Sequence, residues 1–182
     1  MAGRTPTRTA ARSCEGCDLC CRTYEIAELG KPMGSPCALL TQQGCAIHGS
    51  HPRTCKAFRC FWLDQAELGP EWRPSTAGFV LRVDADGVTL WLDVDPDRPG
   101  AWRLPPYINQ IKRWSRAIRD SSGVVMIHDG GGVFVVFPET ELFIPDPPRG
   151  ARFQAGYRAV VGGVEPWAAI MDEPAPRERL RA

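Results

Sequence analysis

Eight cysteines lie close together near the start of this 182-residue chain, and the remainder of the chain contains none. The first four form the pattern C-x-x-C-x-x-C-C. The eight are Cys14, Cys17, Cys20, Cys21, Cys37, Cys45, Cys55 and Cys60, and His48 and His51 lie between the last of them. Thiolates at this density are typical of sites for zinc, or for iron in an iron–sulfur cluster. The sequence therefore predicts metal binding, with zinc favoured over iron.

The spacing of the first four cysteines suggests how they share ions. Two cysteines separated by two residues can point at one centre, because a tight turn or a first helical turn brings their side chains together. Cys14 and Cys17 form such a pair, and Cys17 and Cys20 overlap it. Adjacent side chains diverge on an extended chain, so Cys20 and Cys21 are expected to serve two sites or to bridge two metals. Eight thiolates fit two four-sulfur sites or one binuclear cluster with spare thiols, and the spacing leaves the pairing open.

Some of these residues also have a simpler interpretation. A single buried cysteine is a common small apolar residue, although eight within so short a segment favour ligation. Cys60 precedes Phe-Trp in a predicted helix and is the member most readily explained as a buried thiol. His48 and His51 lie near Cys45 and Cys55 in the sequence, so each is a candidate ligand. The alternative for either histidine is a hydrogen bond to backbone at a helix N-terminus.

Five segments carry a resemblance to a known family, and they are CEGCDLCCR (14–22), PC (36–37), GCAIH (44–48), HPRTCKAF (51–58) and RCFWL (59–63). In this order they resemble the CxxCxxCC family of YkgJ-like cysteine-cluster proteins, which is described as a zinc- or iron-chelating domain. The resemblance implies metal chelation by Cys14, Cys17, Cys20, Cys21, Cys37, Cys45 and Cys55, with Cys60 as a further candidate. Where the family usually reads I-Y-x-x-R-P-x-x-C, this chain has His48 and His51 in place of the tyrosine and the arginine.

Composition and charge limit the classes of function. The formal net charge is +1, so the chain as a whole has no strong electrostatic attraction to nucleic acid or to an anionic membrane. No apolar run approaches the roughly 18 residues of a membrane span. Residues 1–13 are basic and lack the apolar stretch of a secretory signal, which predicts a disordered basic tail. The thiols are then expected in the reducing cytoplasm, where metal ligation is favoured over disulfides.

The segments after the tail differ in composition. Residues 14–70 are predicted to form a cysteine-cluster metal-binding module that includes a helix over about 52–68, beginning at Pro52. Residues 75–148 are predicted to form a small α+β unit, and residues 149–182 a loosely structured C-terminal segment. The predicted elements of the α+β unit are strands 79–83 and 88–94, a helix from 105 to about 120, and strands 124–128 and 133–137.

This ββ-α-ββ order predicts an α+β fold. A metal-stapled, cysteine-rich lobe is expected to pack on a small antiparallel sheet with one main helix. The α+β unit carries no motif that indicates chemistry. His128 beside Asp129 stands at a strand end without an identifiable nucleophile nearby, which favours a structural role.

Three functions compete at this point. The first is metal binding in which the metal is structural or regulatory and the surface recognises a protein partner. The second is an iron–sulfur or redox protein for electron transfer, metal delivery or oxidant sensing, and only this version suggests an oxidoreductase. The third is a zinc-ribbon-like nucleic-acid binder, but the near-neutral charge argues against it. A basic helix face is interpreted as solvated rather than as a contact with nucleic acid or an acidic partner. That face consists of Lys112, Arg113, Arg116 and Arg119.

Overall fold

The computed structural model describes residues 12–14 and 16–171. Regular elements in the cysteine module are short. They are helix α1 (Cys20–Thr23), the paired strands β1 (Leu40–Thr41) and β2 (Gly44–Cys45), and helices α2 (Arg53–Ala57) and α3 (Phe61–Asp64). Helices of four or five residues have little stability of their own, because few backbone hydrogen bonds offset the cost of nucleation. The module must therefore be held together by contacts between its loops.

The helix predicted over 52–68 is two helices in the structure. The chain becomes extended at Phe58 and remains so at Cys60 before α3 begins. The interruption places Phe58 against the ring of Tyr24, with 4.5 Å between ring centroids. It also buries Cys60 against Leu19 and Val80. Tertiary packing therefore overrides the helical pattern, which could not reveal these partners.

The second part of the chain forms the main sheet. Helix α4 (Pro74–Ala77) precedes β3 (Phe79–Val83) and β4 (Leu90–Val94); helix α5 (Tyr107–Ile118) then leads to β5 (Val125–Asp129), β6 (Gly132–Val136) and β7 (Glu141–Pro145). The strands lie in the order β3-β4-β5-β6-β7. The α+β class and the ββ-α-ββ order are confirmed.

The prediction of an antiparallel sheet needs a correction, because β4 and β5 are parallel. Leu90 pairs with Val125 and Asp93 with His128, while the other neighbouring strands are antiparallel. A helix between two adjacent strands carries the chain back to the starting edge, so the second strand runs in the same direction as the first. The sheet is therefore mixed, and β7 adds a fifth strand that the sequence did not predict.

Each face of the sheet has its own cover. Helix α5 packs on one face, where Ile111 and the wholly buried Trp102 meet Leu92 and Ile127. The opposite face is covered by the cysteine module beside β3 and by a β-ribbon beside β5 and β6. A sheet covered on both faces explains why β4 is buried along its whole length.

That ribbon occupies most of the segment predicted to be loosely structured. It consists of β8 (Arg152–Val160) and β9 (Gly163–Met171), which pair antiparallel over nine residues. Phe153 packs edge-on against Trp91 at 5.7 Å between ring centroids, and Tyr157 packs against Phe137 at 5.2 Å. The alternation of inward aromatic residues was the available sequence signal for this ribbon. The remainder of the predicted segment, 172–182, lies outside the described residues.

None of the helices within 12–14 and 16–171 is both long and apolar enough to cross a membrane. Most of the predicted basic tail, residues 1–11, lies outside the described part of the chain.

Candidate metal centre

One cavity of about 710 Å³ lies within the cysteine module and reaches the sheet at Val80. Its lining includes every cysteine of the chain and both candidate histidines. All eight cysteines are free thiols. Residues as far apart in the sequence as Cys14 and Cys60 therefore face a common space. The fold brings together the complete set of ligands that the sequence analysis predicted.

Four of the cysteines form a first group around the initial turn. The backbone amide of Cys17 donates to the carbonyl of Cys14 at 2.8 Å, which closes the C-x-x-C turn. The charges of Cys17 and Cys14 both act on Cys20 and on Cys60, and the charge of Cys21 acts on Cys20 and Cys14 as well. Cys60, only 8% exposed, has a pKa raised to about 11 by burial. These four residues are named group A: Cys14, Cys17, Cys20 and Cys60.

The remaining four cysteines form a second group around the β1–β2 hairpin. The amide of Cys37 donates to the carbonyl of Cys21 at 2.9 Å. The carbonyl of Cys37 in turn accepts from Leu40, which pairs with Cys45 across the hairpin. Burial raises the pKa of Cys55, and the charges of the other three cysteines raise it further. These four residues are named group B: Cys21, Cys37, Cys45 and Cys55.

Cys20 and Cys21 connect the two groups. Both lie in helix α1, where successive side chains are about 100° apart rather than on opposite sides. The Cys20 thiol can consequently donate a hydrogen bond to the Cys21 sulfur, which lowers the pKa of Cys21 to about 7 and raises that of Cys20. Cys20 and Cys21 are therefore helical rather than extended, and the expectation that they serve two sites or bridge two metals stays a prediction. The two adjacent cysteines are assigned to different groups, and one side-chain hydrogen bond links them.

The sulfurs line the cavity without converging on a point. Within the described residues, no three side chains of His, Cys, Asp or Glu are grouped closely enough to hold an ion. The residues present nevertheless fit zinc or iron. Both metals bind thiolates, and all eight thiols face one space. Coordination at either group would require side-chain rotation and closure of the short loops. Closure of this kind is expected where metal binding and folding are coupled.

The two histidines lie at the rim of the cavity beside group B. Their rings meet edge to face, with 4.6 Å between centroids. The amide of His48 donates to the carbonyl of Cys45 at 3.1 Å, and the Nδ1 of His51 accepts from the amide of Gly49 at 3.3 Å. Burial, followed by the charges of His48 and Lys56, lowers the pKa of His51. A lower pKa keeps His51 neutral, which is the form that could bind a metal.

Arg12 anchors the chain immediately before the first cysteine. Its guanidinium donates to the carbonyls of Trp62 and Gln65 at 2.6 Å each, to Ala66 at 3.0 Å, and to Leu68. It also lies 4.6 Å from the centre of the Trp62 ring. The guanidinium thus binds carbonyls in the last turn of α3 and just beyond it. A cation is favourable there because the C-terminal end of a helix carries a partial negative charge. The predicted basic tail is therefore fixed at this residue, two positions before Cys14.

A buried carboxylate joins the cysteine module to the sheet. Asp93, on β4, is 4% exposed, and its Oδ2 accepts hydrogen bonds from the Tyr24 hydroxyl at 2.6 Å and Arg82 Nε at 3.0 Å. Its Oδ1 lies 2.7 Å from Nδ1 of His128. Burial raises the pKa of Asp93, but the hydrogen bond from His128 and the charge of Arg82 outweigh burial, so the pKa lies below its usual range. Because Tyr24 also lines the cavity, this network fixes one cavity wall to the sheet.

Sequence reasoning missed this network. It paired His128 with its neighbour Asp129, whereas the structure pairs His128 with Asp93 across the parallel strands. Asp129 instead accepts hydrogen bonds from the amide of Gly100 at 2.9 Å and from Trp102 Nε1 at 2.8 Å. The parallel register was the missing information, because it alone places Asp93 opposite His128.

The basic face of α5 is occupied by contacts within the protein. Lys112 donates to the carbonyl of Phe137 at 2.9 Å and lies 3.7 Å from Glu141. Arg116 pairs with Glu139 at 3.6 Å, and Arg119 lies over the ring of Tyr157. Arg113 bonds to Gln110 of the same helix. Lys112 and Arg116 are paired with carboxylates, and all four cations have partners within the protein, so this face gives no support to the nucleic-acid hypothesis.

Comparisons with known proteins found no matching family model, no matching curated protein and no matching solved structure. Function must therefore be inferred from the residues of the cavity and their surroundings.

Proposed function

We propose that this is a metal-binding protein of the cytoplasm that holds zinc, or alternatively iron, through its cysteine module. The metal has a structural or regulatory role: it joins loops that have little regular structure of their own. The observation that carries this proposal is that all eight cysteines line one cavity. Cysteines that serve only as buried apolar residues are not expected to face one common space, whereas the ligands of a metal ion must do so.

The proposed stoichiometry is two ions, one for each group. Four thiolates complete a tetrahedral zinc site, so group A and group B each supply a full ligand set. The closed C-x-x-C turn supports this assignment for group A. The backbone bonds that connect Cys21, Cys37 and Cys45 support it for group B. A closed four-thiolate site has no open coordination position, which argues for a structural metal over a catalytic one.

The second candidate function is an iron–sulfur or redox role. It is favoured by one observation, the hydrogen bond between Cys20 and Cys21. Contact between the groups would let one centre influence the other, as redox carriers and oxidant sensors require. A thiol with a pKa near 7, such as Cys21, is also more readily oxidised than an ordinary cysteine.

Metal analysis of protein purified without oxygen separates these functions. About two equivalents of zinc, no acid-labile sulfide and a colourless solution are the expected result. Iron with matching sulfide and absorption near ~400 nm would favour the redox function. Protein that is folded and fully reduced, yet binds neither zinc nor iron at stoichiometric levels, would overturn both.

Paired substitutions then test the two groups. Cys14→Ser with Cys17→Ser should remove one equivalent of metal, and Cys37→Ser with Cys55→Ser should remove the other. Ser75→Ala, at an exposed serine outside the cavity, is the control and should retain both equivalents. Loss of all metal from either pair would point instead to a single binuclear centre.

A further inference from the structure

Lys31 is buried inside the cysteine module, although lysine is among the residues least often buried. Its exposure is 5%. The ammonium donates hydrogen bonds to the carbonyl oxygens of Tyr24 and Pro32, the latter at 3.1 Å. Its backbone is fixed by a β-bridge to Ile26. The chain therefore holds this cation in one place, beside the helix that carries Cys20 and Cys21.

The buried ammonium is not matched by a carboxylate. None of the ion pairs found among the described residues includes Lys31. Two carbonyl dipoles satisfy its hydrogen bonds but leave its charge uncompensated. A buried charge is costly unless a charge of opposite sign lies nearby.

The groups that can supply negative charge to Lys31 are cysteines. The Tyr24 carbonyl that accepts from the ammonium directly follows helix α1, which carries Cys20 and Cys21. The chain after Lys31 then returns to this helix, where the amide of Cys37 donates to the carbonyl of Cys21 at 2.9 Å. Burial lowers the pKa of Lys31, and the charges of Cys37, Cys21, Cys20 and Cys55 act against that effect. Three of these four belong to group B. When protonated, they bring no charge; as thiolates bound to a metal, they do. The lysine thus lies where a metal–thiolate centre would provide its missing partner.

We propose that Lys31 is the built-in counter-cation of a metal centre formed by group B. This inference rests on the proposed function and adds a residue that tunes the affinity of one of the two sites. A divalent ion with four thiolates carries a net charge of −2, and the ammonium reduces it to −1. A site with two thiolates and two neutral histidines would carry no net charge and would gain nothing from the lysine. Lys31 therefore selects a centre of four thiolates over one that uses His48 and His51.

The test compares variants of the full chain by zinc competition with a chromophoric chelator and by cobalt titration. Lys31→Gln keeps a hydrogen-bond donor and removes the charge, while Lys31→Arg keeps the charge. We expect Lys31→Gln to weaken one of the two metal equivalents by about tenfold or more, because a nearby unit charge in a partly buried site has an effect of at least this size. Lys31→Arg should stay within about threefold of the wild type. Lys56→Gln, at an exposed lysine beside Cys55, is the matched control and should change affinity less than about twofold.

The stability of the metal-free protein separates a charge effect from a packing effect. Since the ammonium lacks a partner before metal binds, Lys31→Gln should leave the thermal midpoint of the metal-free protein unchanged or raise it. Equal losses of metal affinity in Lys31→Gln and Lys31→Arg would overturn the proposal, as would an unchanged affinity in Lys31→Gln. If Lys31→Gln does not fold, Lys31→Met takes its place under the same criteria. Wild-type protein that binds no metal would contradict the proposed function itself. That outcome is distinct from the one in which the wild type binds metal and Lys31→Gln leaves the affinity unchanged.

Discussion

The cysteine module and the main sheet bury their residues in different ways. The largest wholly buried side chains, among them Trp102, Phe79 and Ile127, all belong to the sheet unit. Within its described residues, the module has no helix longer than five residues and contributes only a few buried apolar residues, such as Leu19 and Ile26. It does bury a lysine, and it gathers eight thiols. The sheet unit can be stabilised by apolar burial alone, whereas the module requires another source of stability.

Metal removal should reveal this difference most strongly. Chelation of anaerobic, reduced protein is expected to lower amide protection across residues 20–60 by at least about a hundredfold, because thiolate–zinc bonds contribute on the order of 10 kcal/mol to small domains. Strands β4 and β5 should keep their protection. Hydrogen exchange read by mass spectrometry measures both regions in one sample. A module that stays as protected as the sheet after complete metal removal would contradict the comparison.

The sheet unit should instead be sensitive to loss of apolar volume. Trp102→Ala removes a side chain with no exposed surface and a hydrogen bond to Asp129. We expect it to lower the free energy of unfolding by about 3–5 kcal/mol. Urea unfolding followed by circular dichroism measures the change. Leu104→Ala, at an exposed position nearby, is the control and should stay within about 0.5 kcal/mol of the wild type. A small effect of Trp102→Ala would mean that the sheet does not depend on this core.

The contact between the two regions depends on a charge and therefore on pH. Asp93→Asn should lower the free energy of unfolding by about 3 kcal/mol at neutral pH, because it disrupts a buried network. The pKa of Asp93 is lowered in the folded protein, so its stabilisation is present above the ordinary carboxyl pKa and is lost as pH falls through the folded-state value.

The free energies of unfolding of the wild type and of Asp93→Asn, measured at neutral pH and below roughly pH 4, show how the stabilisation by Asp93 depends on pH. The wild type and Asp93→Asn should approach each other in stability at the acidic end. Asp97→Asn, which removes an exposed ion pair with Arg22, is the control and should cost less than about 1 kcal/mol. A constant difference between wild type and Asp93→Asn across this range would show that Asp93 does not act through its charge.

The smallest effect is expected on the basic face of α5. Arg116→Ala breaks an ion pair with Glu139 in which both side chains are more than half exposed. Such pairs contribute little, so the free energy of unfolding should change by less than about 0.5 kcal/mol. The wild type should also show no duplex-DNA affinity that falls steeply with salt. Steep salt dependence that weakens in Arg116→Ala would revive the nucleic-acid hypothesis.

The periodicity of the chain predicted most of the elements in the sheet unit. Strand 79–83 and the helix ending near residue 120 agree closely with β3 and α5. Alternating and helical patterns are local, so they identify an element without its neighbours. The ribbon of β8 and β9 was missed although Phe153, Ala155 and Tyr157 stand at every second position, which is the pattern of a strand with one buried face. The helix over 52–68 was wrong because contacts made by Phe58 and Cys60 interrupt it.

For the candidate metal centre, the sequence by itself determined which residues are candidate ligands and how many of them there are. Cysteine density and C-x-x-C spacing are properties of the chain, and they predict soft-metal chemistry whatever the fold. Only the tertiary structure indicates which cysteines lie near one another, since that depends on loops that return from Cys37 and Cys60 to the first turn. The same holds for Lys31 and Asp93. The sequence does not show whether a charged residue is solvated or buried. Burial makes a charge costly unless it is paired, and burial depends on the residues that pack around it in the folded protein.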